Sequence, residues 1–331
     1  MLKKTAISSL IILVLIGCVS QLNRSPQVTI YVSADEQIAR EIFVAFTKKT
    51  GIKVMWVGDT EVSKTTALVH RILQERKKPI ADVFWSSEIL GMIKLANENL
   101  LERHHSIIAD SWPAAHRDDL QRWFGFSPRA RVIAYDPTRV QASELPKYWW
   151  AYGDAAIADP RFGTTGTHLS VMASFPNHFS AFIDSLRGER FLGGNAATLQ
   201  AVIDGIEKFA MTDTDDVHTA IARGDSVSMH FPRHHDATGG GTLLIPNTVG
   251  IIKGCSYPKH AAEFIDYMLS DEVAVLLARS TSHNIPLQPN VAEQFPELMV
   301  DDPLLVDFYR AAEAYDEVIP VVIDRLSNAQ N

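Results

Sequence analysis

The residues best suited to ligand chemistry lie in a hydroxyl-rich loop and beside two arginines. Residues 163–168 (GTTGTH) precede a helical pattern, so threonine hydroxyls and free backbone N–H groups gather at a helix N-terminus. Two arginines flank the start of a predicted strand, and alternation along it would send both guanidinium groups to one side. Guanidinium groups bind phosphate and carboxylate through paired hydrogen bonds. The pattern predicts an anion site formed by Thr164, Thr165, Thr167, Arg129 and Arg131.

Each of these features also has a purely structural interpretation. One threonine can serve only as a helix N-cap while the glycines shape the turn, and the arginines can pair with surface acids. Asp213, Asp215 and Asp216 stand at a predicted strand-to-helix turn, where aspartate is the expected capping residue. For these acids helix capping is favoured over ligand contact. Both interpretations stay open at the level of sequence.

An alternation of strands and helices must position these residues. The predicted order in the first part of the chain is strand 28–32, helix 36–50, strand 52–57, helix 64–76, strand 81–85 and helix 89–97. Strands spaced by helices of this length form parallel βαβ units with right-handed crossovers. A similar series follows in the middle of the chain. The sequence therefore predicts an α/β fold.

The strand positions select the loops that are candidates for ligand contact, because ligands of parallel α/β sheets bind beyond the carboxyl ends of the strands. The selected loops are residues 33–37, 58–64, 85–88, 163–168, 212–216 and 231–235. Their polar side chains extend the predicted ligand-binding set beyond the arginines and threonines named above. The added residues are Ser33, Thr60, Ser86, Ser87, Asp213, Arg233 and His234.

The amino-terminal segment predicts export and lipid anchoring. Lys3 and Lys4 precede a largely apolar run that ends on LIGC at Cys18. A short basic end, an apolar run and a small residue before the cut are typical of a secretory signal, and Leu-x-Gly-Cys resembles a lipobox. A membrane-spanning anchor is the alternative, but the run is shorter than the ~20 residues that a span needs. Residues 1–17 are predicted to be a signal peptide, Cys18 the lipidated N-terminus and 18–27 a tether.

The charge and the length of the chain limit the possible classes of protein. Removing residues 1–17 takes away two of the 31 basic residues and none of the 39 acidic ones, so the formal charge changes from −8 to −10. This balance argues against a nucleic-acid partner and against a basic membrane-docking surface, and membrane contact is expected only through the Cys18 lipid. A length of 331 residues makes two domains the default.

The order of several short segments resembles the bacterial extracellular solute-binding proteins of the ferric-iron and phosphosugar branch, which serve ABC importers. The matching segments are YVSADE (31–36), ADVFWSSE (81–88), SPRARVIAYD (127–136), DPRFGTTGTH (159–168), TDTDD (212–216), IPNTVGIIKG (245–254), AAEFIDYMLS (261–270) and IPL (285–287). Together they extend over nearly all of residues 28–290.

The resemblance implies a two-lobed, type II periplasmic-binding-protein-like fold in which two crossover hinge strands join the lobes. The crossovers are expected at residues 131–135 and 242–253. Lobe 1 is expected to combine residues 28–128 with 247–331, and lobe 2 to contain residues 129–246. The ligand is expected in the cleft between the lobes.

Residues 233–235 (RHH) depart from both groups in this branch. The iron-binding members carry adjacent tyrosines in this region and the phosphosugar-like members tend to carry Pro-Asp-Gln, whereas this chain has Pro232-Arg233-His234. Phenolate and carboxylate are the hard ligands that ferric iron prefers, whereas imidazole suits zinc, copper or nickel. The sequence therefore favours a small anionic solute, most readily a phosphorylated one. If the ligand is iron, the candidate ligand residues are Glu36, Asp59, Asp213 and Tyr31, with a synergistic anion on the same threonines and arginines.

The leading hypothesis is a monomeric, non-enzymatic binding lipoprotein of the periplasm that delivers a phosphorylated solute to an ABC permease in the inner membrane. A ferric iron-binding protein is the alternative, and no cofactor is expected other than iron as a transported ligand. A receptor module that presents its solute to a sensor is an alternative of another class. Thiaminase-like enzymes resemble this scaffold and use a cleft cysteine, but Cys255 has no adjacent histidine and is expected to serve in packing.

Overall fold

The computed structural model describes residues 25–59, 66–161, 163–186 and 191–328. The predicted signal peptide, the lipidation site Cys18, residues 18–24 of the predicted tether and the candidate ligand residue Thr60 lie outside the described residues.

Strands and helices alternate along most of the described chain. The strands are β1 (Gln27–Val32), β2 (Lys53–Gly58), β3 (Val83–Ser86), β4 (Phe124–Tyr135), β5 (Ile157–Ala158), β6 (Phe191–Leu192), β7 (Phe209–Asp213), β8 (Ser228–His230) and β9 (Leu244–Ile251). The α-helices are α1 (Glu36–Thr50), α2 (Thr66–Gln74), α3 (Leu90–Asn97), α4 (Gly163–Met172), α5 (Pro176–Ser185), α6 (Asn195–Ile203), α7 (Thr214–Arg223), α8 (Pro258–Met268), α9 (Asp271–Arg279), α10 (Pro289–Ala292) and α11 (Phe308–Asn328). Short 3₁₀ turns occupy Ile107–Ser111, Ala114–His116, Ala142–Glu144, Trp149–Ala151 and Pro296–Leu298. This order confirms the predicted α/β class.

Local sequence signals set the ends of the first helix. The Asp35 carboxylate accepts hydrogen bonds from the N–H groups of Gln37 and Ile38, which satisfies two donors that have no partner inside α1. Gly51 ends the helix at φ 74°, a left-handed conformation that glycine adopts without steric cost. Between these ends α1 buries a stripe at helical spacing, formed by Ala39, Ile42, Phe43 and Phe46.

The main sheet contains both predicted crossovers. Its strand order is β2-β1-β3-β9-β4-β7, and β8 pairs with β4. The pairs β1–β2 and β1–β3 are parallel, as the βαβ pattern predicts, whereas β9 is antiparallel to β3 and β4. Residues 124–126 of β4 pair with β9, while residues 131–135 pair with β7 and β8, so β4 runs from one part of the molecule into the other. The first crossover therefore begins earlier than the predicted residue 131.

Each part of the sheet is covered on both faces by helices. Around β1, β3 and β9, one face packs on α1 and α8 through residues that include Ile30, Phe43 and Phe264. Because side chains alternate along a strand, Tyr31 points to the other face and packs with α2 and α3. The carboxyl half of β4 and β7 form a second layer between α4 and α5 on one face and α6 and α7 on the other. Each lobe therefore has its own apolar core, which extends over both faces of its part of the sheet.

The carboxy-terminal helix α11 contacts both cores. Phe308 and Ala311 pack with the α2–α3 face of lobe 1, whereas Ile319, Val322 and Leu326 pack with the α4–α5 face of lobe 2. The predicted division assigned all of residues 247–331 to lobe 1. The second half of α11 packs on lobe 2 instead, because its apolar stripe continues past Pro320. Among the described helices, including the 21-residue α11, none has both the length and the apolar character that a membrane span requires.

Candidate ligand-binding cleft

A cleft of about 450 Å³ lies between the two lobes. Its walls come from the loops after β1, β3 and β7, from the starts of α4 and α6, and from the segment after α9. Its polar and charged lining residues include Ser33, Asp35, Ser87, Arg129, Asp159, Thr164, Asn195, Asp213, Asp215, Asp216, Arg223, Asn247, Ser282 and Asn284. The cleft therefore lies where the carboxyl ends of the strands and the crossovers meet.

Several helices begin at the wall of this cleft. Asp35 caps α1, and Asp213 caps α7 in a capping box whose second member is Asp216. The N-cap residue of α6 is Gly194, which offers no side chain to the free N–H groups of that helix. Helix N-termini carry partial positive charge and donate backbone N–H groups, so their convergence favours a negatively charged group in the cleft.

Three carboxylates meet on the lobe 2 wall, at the junction of β7 and α7. Oxygen atoms of Asp213, Asp215 and Asp216 lie within 4.8 Å of one another. Asp213 is buried, whereas the other two are partly exposed, Asp215 with 27% of its side chain accessible. Asp213 and Asp216 fulfil the predicted capping role. The capping box does not exclude ligand contact, because a carboxylate oxygen has lone pairs for more than one partner.

Two arginines form ion pairs with Asp213. The Arg131 side chain is fully buried, and its Nη1 donates to Asp213 Oδ1 at 2.9 Å and to Thr164 Oγ1 at 3.1 Å. Arg129 Nε lies 3.3 Å from Asp213 Oδ2 and 3.4 Å from Asp215 Oδ2, and Arg129 Nη2 donates to the Ser87 carbonyl of lobe 1. Both arginines thus share one side of β4, as the alternation predicts.

This network determines the ionisation of Asp213. Burial by itself raises the pKa of a carboxyl group, but Arg131 and Arg129 outweigh that effect and lower the pKa of Asp213 below its usual range. The Thr164 hydroxyl donates to Asp213 Oδ2 at 2.6 Å, and Asn195 Nδ2 donates to the same oxygen at 2.9 Å. Asp213 is therefore ionised, and its contacts position α4, α6 and both arginines around the cleft.

Some predicted ligand-binding residues line the cleft and others lie in its supporting structure. Those that line it are Ser33, Ser87, Arg129, Thr164 and Asp213. Arg131 and Thr165 are buried behind the wall, where Arg131 Nη2 lies 3.5 Å from Thr165 Oγ1. The Ser86 hydroxyl accepts from the Glu88 N–H, and the Thr167 hydroxyl donates to Glu88 Oε2 at 3.2 Å. These contacts lie outside the cleft and fix the loop after β3 and its contact with α4.

Arg233 and His234 do not line the cleft. Arg233 forms an ion pair of 2.6 Å with Asp302, and His234 is fully buried, with its Nε2 3.1 Å from Nε2 of His168. The prediction placed both in the ligand loops because of their charge and position after a strand. The loop folds back onto the core of lobe 2 instead, because Trp149 and the His168 ring provide an aromatic surface for His234.

The residues predicted as iron ligands are also dispersed. Asp213 lines the cleft, whereas Asp59 is not among the lining residues. Glu36 is exposed and forms an ion pair with Arg40. The Tyr31 hydroxyl donates to Glu75 at 2.9 Å, and Tyr31 packs on the α2–α3 face of lobe 1. Among the described residues that line the cleft there is no tyrosine, histidine, glutamate or cysteine.

Sequence reasoning missed part of the lobe 2 wall. Asn195 follows the dipeptide Gly193–Gly194, which lies between the two-residue strand β6 and α6. A strand of two residues gives no periodic signal, so the loop after it was not selected. Asp35 and Asp159 also line the cleft, and among the described lining residues they bring the acidic ones to five against the two basic residues Arg129 and Arg223.

Two α/β lobes, joined by antiparallel crossover strands around one cleft, define the type II periplasmic binding protein fold of ABC importers. Solved structures of that fold match nearly the whole chain. Iron-bound HitA from Pseudomonas aeruginosa gives a TM-score of 0.77 at 21% identity, covering 91% of this chain and 99% of that one. The Trichodesmium FutA structure with iron and citrate gives 0.74 at 22% identity, with 91% and 99% covered. AfuA from Actinobacillus pleuropneumoniae with fructose-6-phosphate gives 0.76 at 18% identity, with 92% and 99% covered.

Several relatives by sequence are named as iron uptake or ferric iron-binding proteins. Iron uptake protein A1 of Synechocystis is 24% identical over 298 residues, which are 80% of this chain and 79% of that protein. The major ferric iron-binding protein of Neisseria meningitidis serogroup A is 26% identical over 292 residues, 81% and 83% of the two chains. No protein-family model matches the chain. These similarities confirm the resemblance to the ferric-iron and phosphosugar branch of the solute-binding proteins.

Proposed function

We propose that the chain is the extracytoplasmic binding component of an ABC importer and that its cargo is ferric iron held together with a small oxyanion. The observation that carries the proposal is the carboxylate cluster of Asp213, Asp215 and Asp216 on the cleft wall. Carboxylate oxygens are the hard ligands that ferric iron prefers. The iron-binding names of the relatives support this choice over the phosphorylated solute that the sequence favours.

The cluster by itself is a poor ferric site, and this is the reason for including an oxyanion. Asp213 is buried and accepts hydrogen bonds from Arg131, Thr164 and Asn195. Asp215 and Asp216 are partly exposed and are therefore the more accessible ligands. A chelating carboxylate such as citrate would supply the remaining oxygen ligands. Its negative charge would be met by Arg129 and by the free N–H groups at the start of α6.

A phosphorylated sugar without metal is the second candidate. Arg129, Thr164 and Asn195 offer donors at one wall of the cleft, and such donors suit a phosphate group. The fold match to AfuA with bound fructose-6-phosphate supports this candidate. The two candidates differ in whether Asp215 and Asp216 help binding or oppose it, since carboxylates attract a cation and repel a phosphate.

Calorimetry of metal-stripped protein separates the two candidates. We expect ferric citrate to bind tightly, citrate alone weakly, and fructose-6-phosphate not at all. The double variant Asp215→Asn/Asp216→Asn should lose ferric citrate binding, whereas Asp119→Asn, which changes an exposed carboxylate in another region, should keep it. Tight binding of fructose-6-phosphate with no response to ferric citrate would overturn the iron proposal.

A binding role without catalysis is part of the proposal. The relatives are named as uptake and binding proteins. Burial, with a smaller effect of Asp82, raises the pKa of the Cys255 thiol to about 12, so the thiol stays protonated at neutral pH. Cys255 packs against the apolar clusters of lobe 1 and does not line the cleft. These features support packing as the role of Cys255.

A further inference from the structure

Two histidines face each other at the junction of the lobes. His218 lies on α7 of lobe 2, and His283 lies in the segment between α9 and α10 of lobe 1. Their ring centroids are 4.8 Å apart and the ring planes are inclined by 52°. Within the described chain neither imidazole forms a hydrogen bond, so its ring nitrogens remain available for another ligand.

The backbone around His283 is held in place independently of its side chain. His283 has φ 47°, a left-handed conformation that residues other than glycine adopt uncommonly. On either side, Ser282 and Asn284 are buried and line the cleft, and the Ile285 N–H donates to the Pro128 carbonyl at 2.8 Å. The strained residue therefore presents its imidazole to α7 from a fixed backbone.

The spacing suits two ligands of one metal ion. Imidazole nitrogen is a ligand for zinc, copper and nickel, in contrast to the carboxylates that suit ferric iron. Metal–nitrogen bonds of ~2.0–2.1 Å in tetrahedral geometry place two ligand nitrogens ~3.3 Å apart. Ring centroids 4.8 Å apart are compatible with one nitrogen of each ring binding the same ion. We propose that His218 and His283 form a second metal site, for a divalent ion such as Zn²⁺, Ni²⁺ or Cu²⁺, across the lobe junction.

A metal ion at this site would tie α7 to lobe 1. The same helix carries Asp215 and Asp216 at its start, and Thr219 and Arg223 on its cleft side. Lobe opening would have to move α7 away from the segment that contains His283. A bound metal would therefore oppose separation of α7 from that segment, whether or not the cleft holds cargo.

Zinc binding to untagged, metal-stripped protein tests the site. In competition with a chromogenic chelator, wild-type protein should bind Zn²⁺, and His218→Gln and His283→Gln should each weaken that binding by at least about tenfold, since each removes one of two protein ligands. His70→Gln, at a lone exposed histidine on α2, is the matched control and should bind like wild type. Ferric citrate binding should stay unchanged in all three variants, so failure of this site and failure of the iron proposal are distinguishable.

Copper spectroscopy supplies a readout that does not depend on affinity. Electron paramagnetic resonance with one equivalent of Cu²⁺ should show coupling to two nitrogens in wild-type protein and to one in either glutamine variant. Equal zinc affinity in wild type and both variants, or a copper spectrum that the variants leave unchanged, would overturn the proposal. Thermal unfolding without metal checks that each variant is folded.

Discussion

At the scale of single residues, the charge balance of the cleft depends on Asp213. Its carboxylate is 2% exposed and lies against two buried guanidinium groups. Breaking a buried ion pair by removing one partner costs about 3–5 kcal/mol, because the other charge is left buried without compensation. The residue thus serves stability as well as the geometry of the site.

Asp213→Asn should lower the free energy of unfolding by about 3–5 kcal/mol, because Arg129 and Arg131 lose their shared counter-ion. Urea unfolding at neutral pH measures the loss. Asp215→Asn is the control and should cost much less, since its carboxylate is more exposed and lies 3.4 Å from Arg129 alone of the two arginines. Equal, small losses of unfolding free energy in the two variants would contradict the role of Asp213 as the shared counter-ion of the two arginines.

The buried His234 side chain should make the stability of the fold depend on pH. Burial lowers the pKa of His234 to about 4, against about 6.5 in the unfolded chain. Between these values the unfolded state binds the proton that the folded state excludes, so stability is full above pH 6.5 and falls as pH drops towards 4. The difference between the two pKa values corresponds to about 3 kcal/mol in the free energy of unfolding.

We expect His234→Gln to flatten this pH dependence, even if it lowers stability at pH 7. The measurement is the free energy of unfolding at several pH values between 4 and 7. The variant should keep part of the slope, because burial also lowers the pKa of His168 and of His116. A slope identical to that of wild type would show that His234 does not resist protonation.

At the scale of elements, strand and helix order could be predicted because periodic apolar patterns are local. The helix 36–50 and the strand 81–85 agree with α1 and β3 to within a few residues. The crossover that includes β4 was expected from residue 131, but the strand, which is buried along its whole length, starts at Phe124. Where the strand begins was harder to predict because residues 124–126 gain their partners from β9, more than 100 positions later.

The site could be predicted only where its position follows from one loop. Thr164 was found because it lies at a helix start, and Arg129 because it lies just before the predicted strand start at residue 131. Whether Arg233 and His234 reach the cleft depends on the fold of the whole loop. The Trp149 ring packs on the His234 ring, and Trp150, 84 positions before His234, donates from Nε1 to its carbonyl. Loop composition does not contain that information.

The two-lobe contact of α11 leads to a prediction about stability. Ile319→Ala removes a side chain that is 4% exposed in the core of lobe 2 and should cost about 2–5 kcal/mol. Val321→Ala, two positions later on the exposed side of the helix, should change stability by no more than about 0.5 kcal/mol. Denaturant unfolding compares them, and equal effects would contradict the packing of α11 on lobe 2.

At the scale of the whole molecule, the proposed function requires the binding protein to be kept near its permease. A lipid on Cys18 would do this, and residues 19–27 would separate the lipid from the fold. We expect the protein to fractionate with membranes in its native host. Cys18→Ala, with a plain secretory signal in place of residues 1–17, should move it to the soluble fraction. If both forms are equally soluble, the lipoprotein prediction is wrong.

The central claim is that the carboxylates of the cleft hold ferric iron while Arg129 and the helix starts hold its oxyanion. A crystal structure of the metal-stripped protein loaded with ferric citrate, with anomalous diffraction recorded at the iron absorption edge, tests it directly. The account predicts one iron peak within bonding distance of Asp215 and Asp216, with citrate between the metal and Arg129. An iron peak outside the cleft, or citrate bound there without iron, would contradict it.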